Sequence, residues 1–425
     1  MNILIQNGTI ICPQNGRITG CDLLIENGVI RRIAPNLGTT NATTINAAGK
    51  YILPGFFDMH CHLREPGFEH KETLASGMRA ALAGGFTSLA CMPNTNPAID
   101  SAATVQFITE RAKQLDLCAL YPVGAITKGQ SGKQLNDFLT LKAAGVIALS
   151  DDGKPVADTA LMRQAIQSAA KAGLIILSHC EDQSLSADGV MNEGITATDL
   201  GLRGIPAAAE ETITARDIMI AENLNLPIHI MHVSTRGSVA IIRAAKARGT
   251  HVTAETCPHY FSLTDSACRG LNTAAKVNPP LRTADDVTAI IEGLCDGTID
   301  VIATDHAPHH ATEKSCGFES ATFGISGLET AFAVVNTFLV QPGHLTLETV
   351  ARKMALTPAK IMNKPTGTIA VGTPADITIV DTNTRYMVDS AFFHSKGKNT
   401  PFNGMNLTGV IEHTIVGGVL KYSRN

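Results

Sequence analysis

The sequence predicts an α/β protein, a (β/α)8 TIM-type barrel with a small β-sandwich domain composed of both chain ends. Two observations in the middle of the chain indicate the barrel. Apolar, strand-like runs alternate eight times with amphipathic or alanine-rich helical stretches, and about 250 residues are typical of such a barrel. The runs are almost continuously apolar, as parallel strands are when helices cover both faces. Strand and turn patterns at both chain ends indicate the β domain.

The predicted barrel strands are eight apolar runs, at residues 56–62, 87–92, 118–126, 146–150, 174–179, 228–233, 252–256 and 301–304. Predicted helices lie between them at residues 72–83, 102–114, 159–172, 207–222 and 238–248. An open, doubly wound sheet is the structural alternative, but no Gly-x-Gly-x-x-Gly motif follows a first strand. We therefore expect a closed barrel over residues 55–364.

The two ends of the chain read as short strands joined by tight turns. Asn7-Gly8 and Asn27-Gly28 each separate apolar runs, and Asn-Gly is the strongest short signal for a β-hairpin. A third polar turn, Gln14-Asn15-Gly16, follows another apolar run, and strand patterns return after residue 365. We predict that residues 1–54 and 365–425 form one composite β domain.

Composition and charge exclude several classes of function. The chain has 425 residues with 44% hydrophobic and 17% charged residues, enough to bury a large core. A net charge of -4 without any Lys/Arg run argues against nucleic acid or an anionic membrane as a partner. No apolar run is long enough for a membrane span, and the first residues lack signal-peptide character. We expect a soluble, cytoplasmic protein whose ten scattered cysteines are mostly buried, reduced thiols.

Metal-ligand residue types follow the predicted barrel strands. His60 and His62 end the first strand, and side chains two residues apart on a strand point the same way. Functional groups of such barrels lie at the C-terminal strand ends, where the later strands place Asp152, His179, His232 and Asp305. Four histidines and two carboxylates would hold two Zn²⁺ ions for metal-assisted hydrolysis. We assign a hydrogen-bonded, non-ligand role to the remaining candidates, His229, His251, His259 and His306.

Several motifs resemble those of the amidohydrolase superfamily and, within it, of bacterial class I dihydroorotases. The most specific are Asp58-Met59-His60-Cys61-His62-Leu63-Arg64 and Thr304-Asp305-His306-Ala307-Pro308-His309. Further similar motifs lie at residues 92–97, 151–153, 255–260 and 278–282, so the similarity extends over nearly the whole chain.

This resemblance implies a division of the metal ligands. His60, His62 and Asp305 would hold one zinc ion, while His179 and His232 would hold the other, giving two Zn²⁺ per subunit. Asp152 would bridge both ions, in the place where hydantoinases use a carboxylated lysine. Lys154 has the same strand parity as Asp152, so a carboxylated Lys154 remains an alternative bridge.

The resemblance also implies an activity, the reversible hydrolysis of L-dihydroorotate to N-carbamoyl-L-aspartate, whose reverse reaction closes the ring in pyrimidine biosynthesis. Asp305 would act as the catalytic base, taking a proton and returning it to the leaving ring nitrogen. The substrate-binding residues would be His62, Arg64, Asn94, Asn278 and His309, with the backbone at Phe323 and Gly324. A guanidinium pairs with a carboxylate in a bidentate way, although a salt bridge from Arg64 to the adjacent Glu65 is the alternative.

Two other functions remain open at this point. A hydantoinase or allantoinase would hydrolyse a related cyclic amide, and a catalytically silent homologue would serve as a structural partner of aspartate transcarbamoylase. A homodimer is expected, and an association with aspartate transcarbamoylase is a further expectation of the resemblance. Residues 310–323 form a polar stretch beside His309, which would be a mobile lid or an ordinary surface loop.

Overall fold

Eight parallel strands surround a common axis in the computed structural model, which describes residues 2–38 and 41–424. They are Phe56–Cys61, Phe86–Cys91, Ala119–Ala125, Ala148–Ser150, Leu177–Ser178, Ile228–Ile230, Val252–Thr256 and Val301–Ile302. The first four and the last four each form one parallel sheet. Single bridges, Leu149 to Ile176 and Cys61 to His306, connect the two sheets at both seams. The predicted eight-stranded barrel is confirmed, with every strand at its expected place.

Helices cover the outside of the barrel. The five predicted helices appear as Leu74–Ala83, Ala102–Leu115, Thr159–Lys171, Ala208–Leu224 and Arg236–Ala247. The others are Phe138–Ala144, Gln183–Ser186, Ile195–Leu200, Pro258–Ser262, Ala284–Asp296, Ala311–Lys314, Ala331–Val335, Leu347–Ala351 and Thr357–Ile361. Short polar side chains cap several first turns, as Ser101 and Asp158 do by accepting a backbone N–H. No helix among the described residues combines the length and apolar character that a membrane crossing requires.

Apolar side chains fill the interior of the barrel below its C-terminal rim. Phe57 and Met59 alternate with Asp58 and His60 along the first strand, and both belong to one buried apolar cluster with Met231. A separate, larger apolar cluster lies between the strands and the helices. Polar side chains at the rim therefore stand on a closed apolar floor, which keeps water from reaching them from below.

The chain ends form two further sheets. One contains Val29–Ala34, Asp22–Glu26, Ile3–Gln6 and Thr43–Asn46, in that order. The other contains Val419–Ser423, Asn406–Val416, Ile377–Met387, Tyr51–Pro54, Thr9–Cys12 and Gly16–Ile18. Isoleucines from both sheets share one buried cluster. The expected β region composed of both termini is confirmed, while the boundaries 1–54, 55–364 and 365–425 stay a prediction.

The expected hairpin at Asn7-Gly8 is wrong. The strand before this turn pairs with Asp22–Glu26 and Thr43–Asn46, whereas the strand after it pairs with Gly16–Ile18 and Tyr51–Pro54. A type I′ hairpin turn needs positive φ at both central residues, and here only Asn7 has it (φ 64°). The turn therefore passes the chain from one sheet to the other. The hairpins at Asn27-Gly28 and around Gln14-Asn15-Gly16 do form.

The terminal sheets dock on the barrel beside Gly85. The buried hydroxyls of Thr378 and Thr414 donate to the carbonyls of Gly85 and Leu82, at the end of the first barrel helix. Gly85 has φ +84°, and a Cβ there would meet the Cγ2 of Thr378 at 2.8 Å. Glycine is required at this position for both conformation and space.

Gly85→Ala is expected to destabilise the protein more than Gly173→Ala. Both glycines follow a barrel helix with positive φ, but a Cβ on Gly173 would meet no atom within 4 Å. The Gly173→Ala control therefore measures only the cost of alanine in the left-handed conformation, a loss of about 1 kcal/mol in unfolding free energy. Overpacking at Gly85 adds a further loss of about 1–3 kcal/mol. Urea denaturation midpoints of the two variants test this, and equal shifts would contradict the tight docking.

Candidate metal centre and substrate pocket

The first group of predicted ligands meets at the C-terminal end of the first strand. His62 Nε2 lies 3.3 Å from Asp152 Oδ2 and 3.1 Å from Asp305 Oδ1. His60 Nε2 lies 3.4 Å from the same Asp305 oxygen. Strands one, four and eight supply these side chains, so the barrel closure brings together residues far apart in sequence.

The second group shares Asp152 with the first. His179 Nδ1 and His232 Nε2 lie 2.7 Å apart, and Asp152 Oδ1 is 3.1 Å from the former and 3.6 Å from the latter. One oxygen of Asp152 therefore faces His62 while the other faces His179 and His232. Although burial opposes ionisation, hydrogen bonds from His179, His232 and His60 hold the pKa of Asp152 well below its usual range.

The chemistry of these side chains fits a metal site. His60, His62 and Asp152 form one group, and Asp152, His179 and His232 form another, with ligand atoms in each within 4.8 Å of one another. His60 Nε2 is buried and makes no hydrogen bond with any described residue. An orphaned buried nitrogen is costly, and coordination to a metal would satisfy it.

Buried carboxylates behind the histidines orient their rings. Glu255 lies 2.6 Å from His60 Nδ1 and 3.2 Å from His229 Nε2. Burial opposes its ionisation, but the two histidines lower the pKa of Glu255 to about 2. An ionised carboxylate only accepts, so His60 Nδ1 carries the proton and Nε2 presents its lone pair to the centre.

Glu181 orients a histidine ring of the second group in the same way. Its Oε2 lies 3.1 Å from His179 Nε2, which leaves His179 Nδ1 facing Asp152. Asn278 donates to the same oxygen at 3.1 Å, and this contact connects a predicted substrate residue to the metal centre. His62 is oriented in turn by Asn94, whose Oδ1 lies 2.8 Å from His62 Nδ1.

A cavity of about 210 Å³ opens above the two groups. It is lined by His62, Arg64, Asn94, Asp152, Gly153, His179, His232, Asn278, Asp305, Ala307, His309, Phe323 and Gly324. The structure thus brings every predicted substrate residue and all predicted ligands except His60 to one small pocket, and His60 lies directly behind it.

Arg64 brings a buried positive charge to this pocket. Its Nε donates to the carbonyl of Pro308 at 3.2 Å, and burial lowers its pKa to about 10. The alternative salt bridge to Glu65 is wrong, because Glu65 instead accepts from the backbone N–H of Leu74 and faces Arg111. Within the described part of the chain, the guanidinium pairs with no carboxylate, and it lines the cavity.

Known proteins that match the chain agree on its family. A family described as "Dihydro-orotase-like" matches residues 49–238. A dihydroorotase from Acetivibrio thermocellus is 51% identical over 416 residues, 98% of each chain. Another from Geobacter metallireducens is 51% identical over the full length of both chains. The chain belongs to the dihydroorotase family.

Solved structures give the same architecture. An L-hydantoinase from Arthrobacter aurescens superposes with a TM-score of 0.88 at 25% identity, over 98% of this chain and 95% of the other. A dihydropyrimidinase from Brevibacillus agri superposes with a TM-score of 0.87 at 24% identity, over 99% and 95% of the two chains. The chain therefore shares the fold of these two proteins.

Asp152 and Lys154 are the two candidates for the residue that links the histidine groups, and they lie in different surroundings. Asp152 is 4% exposed and contacts both histidine groups, whereas the side chain of Lys154 is exposed and does not line the cavity.

Three pocket residues, Arg64, His232 and Asp305, have positive φ (63°, 34° and 46°). Such strained backbone is typical of functional sites.

Sequence reasoning missed several functional side chains. Glu255 and Glu181 have no assigned role in the sequence prediction, although a Glu within an apolar strand, as at Glu255, is a usable signal. The hydrogen-bonded role expected for His229 and His306 is confirmed, by Glu255 and by Glu72.

For the other two histidines, the non-ligand role stays a prediction. His251 is exposed, while His259 Nε2 is buried without a hydrogen bond to the described residues. His259 also lies near Cys257 and Asp305, with potential ligand atoms within 4.8 Å, and burial lowers its pKa to about 4.

Glu255→Gln is expected to weaken metal binding about 10–100-fold. The two carboxylate oxygens of Glu255 each face one histidine, His60 and His229, whereas a glutamine has only one oxygen. The ring of His60 would therefore lose its fixed orientation. Competition with a chromogenic chelator measures the affinity. Glu222→Gln, which breaks only an exposed pair with Arg248, is the matched control. Equal affinities in the two variants would remove Glu255 from this role.

Proposed function

We propose that this protein catalyses the reversible hydrolysis of L-dihydroorotate to N-carbamoyl-L-aspartate with two Zn²⁺ ions. The observation that carries the proposal is a buried guanidinium, without an acidic partner among the described residues, facing the same small cavity as two linked His/Asp groups. Hydrolysis needs the His/Asp groups, and a substrate with a fixed carboxylate needs the guanidinium.

The six strand-end residues are the proposed zinc ligands. His60, His62 and Asp305 would hold one ion, His179 and His232 the other, and Asp152 both. When bound, Zn²⁺ polarises a carbonyl oxygen and lowers the pKa of water to near 7. Nitrogen and carboxylate oxygen are the donors that zinc uses in catalytic sites.

Asp305 is the proposed base. Burial opposes its ionisation, but His60 and His62 keep its pKa below the usual range, so Asp305 is ionised, the form that can accept a proton. Water adds to the ring amide carbonyl, the carbon–nitrogen bond breaks, and Asp305 returns the proton to the leaving ring nitrogen. Ring closure is the same sequence reversed.

The opposite wall of the pocket is the proposed binding site for the substrate carboxylate and amide edge. Arg64 would pair with the carboxylate. Asn94 directs its oxygen to His62, which leaves its NH₂ group for the substrate, and Asn278 directs its NH₂ group to Glu181, which leaves its oxygen. The pair thus offers one donor and one acceptor, as an amide edge requires.

A hydantoinase activity is the second candidate, because solved hydantoinases share the fold. Their identity to this chain is 25% or less, however, against about half for the dihydroorotases. The third function considered, a silent partner of aspartate transcarbamoylase, is disfavoured by the full ligand set.

Three further expectations stay predictions: the homodimer, the association with aspartate transcarbamoylase, and the lid. Light scattering after size-exclusion chromatography tests the homodimer, and co-elution tests association with an aspartate transcarbamoylase. Residues 310–323 contain one short helix, Ala311–Lys314, and the lid is tested by the kinetics of a shortened loop.

Asp305→Asn is expected to lower dihydroorotate turnover about 100-fold or more while the protein retains zinc. The amide keeps an oxygen but cannot accept the proton. Turnover and zinc content are measured on the same sample, with Asp300→Asn as a control outside the cavity. Near-normal turnover would remove Asp305 from the role of base.

Arg64→Gln is expected to raise the KM for dihydroorotate about 10–100-fold, because a charge-assisted hydrogen bond contributes about 1.5–3 kcal/mol. The variant should also lose its preference for dihydroorotate over dihydrouracil, which lacks the carboxylate. Arg111→Gln, an exposed change near Glu65, is the control. A preference that survives in Arg64→Gln would contradict carboxylate recognition by Arg64.

A further inference from the structure

The backbone of Gly324 forms part of the pocket wall and is unusually constrained. Gly324 has φ +129°, and a Cβ there would meet Ala307 O at 2.6 Å and His309 Nε2 at 3.1 Å. Its N–H donates to the carbonyl of Lys276 at 3.0 Å. Its own carbonyl accepts two hydrogen bonds, from Lys314 Nζ at 3.1 Å and from Asn399 Nδ2 at 2.9 Å.

Asn399 contacts both substrate-side elements with one carboxamide. Its NH₂ group donates to Gly324, while its oxygen accepts the backbone N–H of His309 at 3.0 Å. The backbone of Asn399 is held as well, because its carbonyl accepts from Ser326 N at 2.7 Å. The side chain thereby sets the separation between two pocket walls, although it does not line the cavity itself.

His309 completes the connection between the two walls. Burial, together with Arg64 and Lys71 nearby, lowers the pKa of His309 to about 2, so its imidazole is neutral. Nε2 donates to the carbonyl of Phe323 at 2.7 Å, and Nδ1 faces Lys71 Nζ at 3.4 Å. The side chain of His309 is therefore hydrogen-bonded to the residue before Gly324.

Lys314 fixes the same wall from the outside. Its buried Nζ donates to three carbonyls, those of Thr322 at 2.7 Å, Gly324 at 3.1 Å and Lys276 at 3.2 Å. Three acceptors match the three N–H donors of an ammonium group, although burial lowers the pKa of Lys314 to about 7. In the part of the chain that the structure describes, Lys314 forms no ion pair, so its side chain serves this backbone alone.

We propose that Asn399 and Lys314 are positioning residues that clamp the Gly324 carbonyl and hold His309 in its substrate-binding orientation. This inference rests on the proposed function of the pocket. Neither side chain touches the His/Asp groups, so the clamp acts on substrate binding and leaves the reacting groups in place. Asn399 lies in the C-terminal part of the chain, beyond the barrel strands, which makes that segment a component of the active site.

Asn399→Asp tests the clamp with almost no change in shape. The aspartate still accepts from His309, but it faces the Gly324 carbonyl with a second oxygen instead of a donor. We expect the KM for dihydroorotate to rise about tenfold while kcat changes less than threefold and zinc content stays constant. Asn403→Asp is the matched control, because Asn403 accepts from the backbone of Ser390 in the same segment and lies outside the pocket lining.

Lys314→Met gives a second, independent measurement. We expect faster hydrogen exchange in residues 311–324 and a raised KM, and less than multiplicative KM effects in the double variant because both residues hold one carbonyl. Wild-type protein without dihydroorotase activity would overturn the proposed function. An active wild type combined with an unchanged KM in Asn399→Asp, or with a loss confined to kcat, would overturn the clamp alone.

Discussion

One carboxylate connects the whole active site. Asp152 contacts His62 with one oxygen and His179 and His232 with the other, so both histidine groups depend on its position. That position depends in turn on the fourth strand, which ends two residues earlier at Ser150. Its neighbour in sequence, Asp151, points away and accepts from the backbone of Ile126 and Thr127, which holds the turn in place.

Two buried acids beside this centre, Glu255 and Glu181, each orient the ring of a histidine. A buried carboxylate without a partner is costly, but Glu255 and Glu181 each accept hydrogen bonds from a histidine and stay ionised. Each acid selects the tautomer of its histidine, and the lone pairs of His60 and His179 consequently face the centre. The apolar floor of the barrel raises the strength of these contacts by excluding water.

The barrel and its ligands could be predicted because their signals are local. An apolar run followed by a His or Asp is visible within ten residues, and the parallel strands bring the run ends together. Glu255 was harder, since its role depends on His60, almost two hundred residues earlier. Asn399 gives no local signal at all, because its two partners lie in other segments. The hairpin predicted at Asn7-Gly8 is wrong for a different reason. The local turn signal is strong, but the strands on its two sides pair with other strands and not with each other.

The two sides of the pocket are built in different ways, and this bears on how a protein with this fold could change its substrate. The strand ends supply the His/Asp groups, and the barrel holds them rigidly. Arg64, His309 and Gly324 lie on loops, and their positions depend on contacts such as the one from Asn399 to Gly324. A protein with this fold can therefore change its loops and distant supporting residues while it keeps the hydrolytic centre.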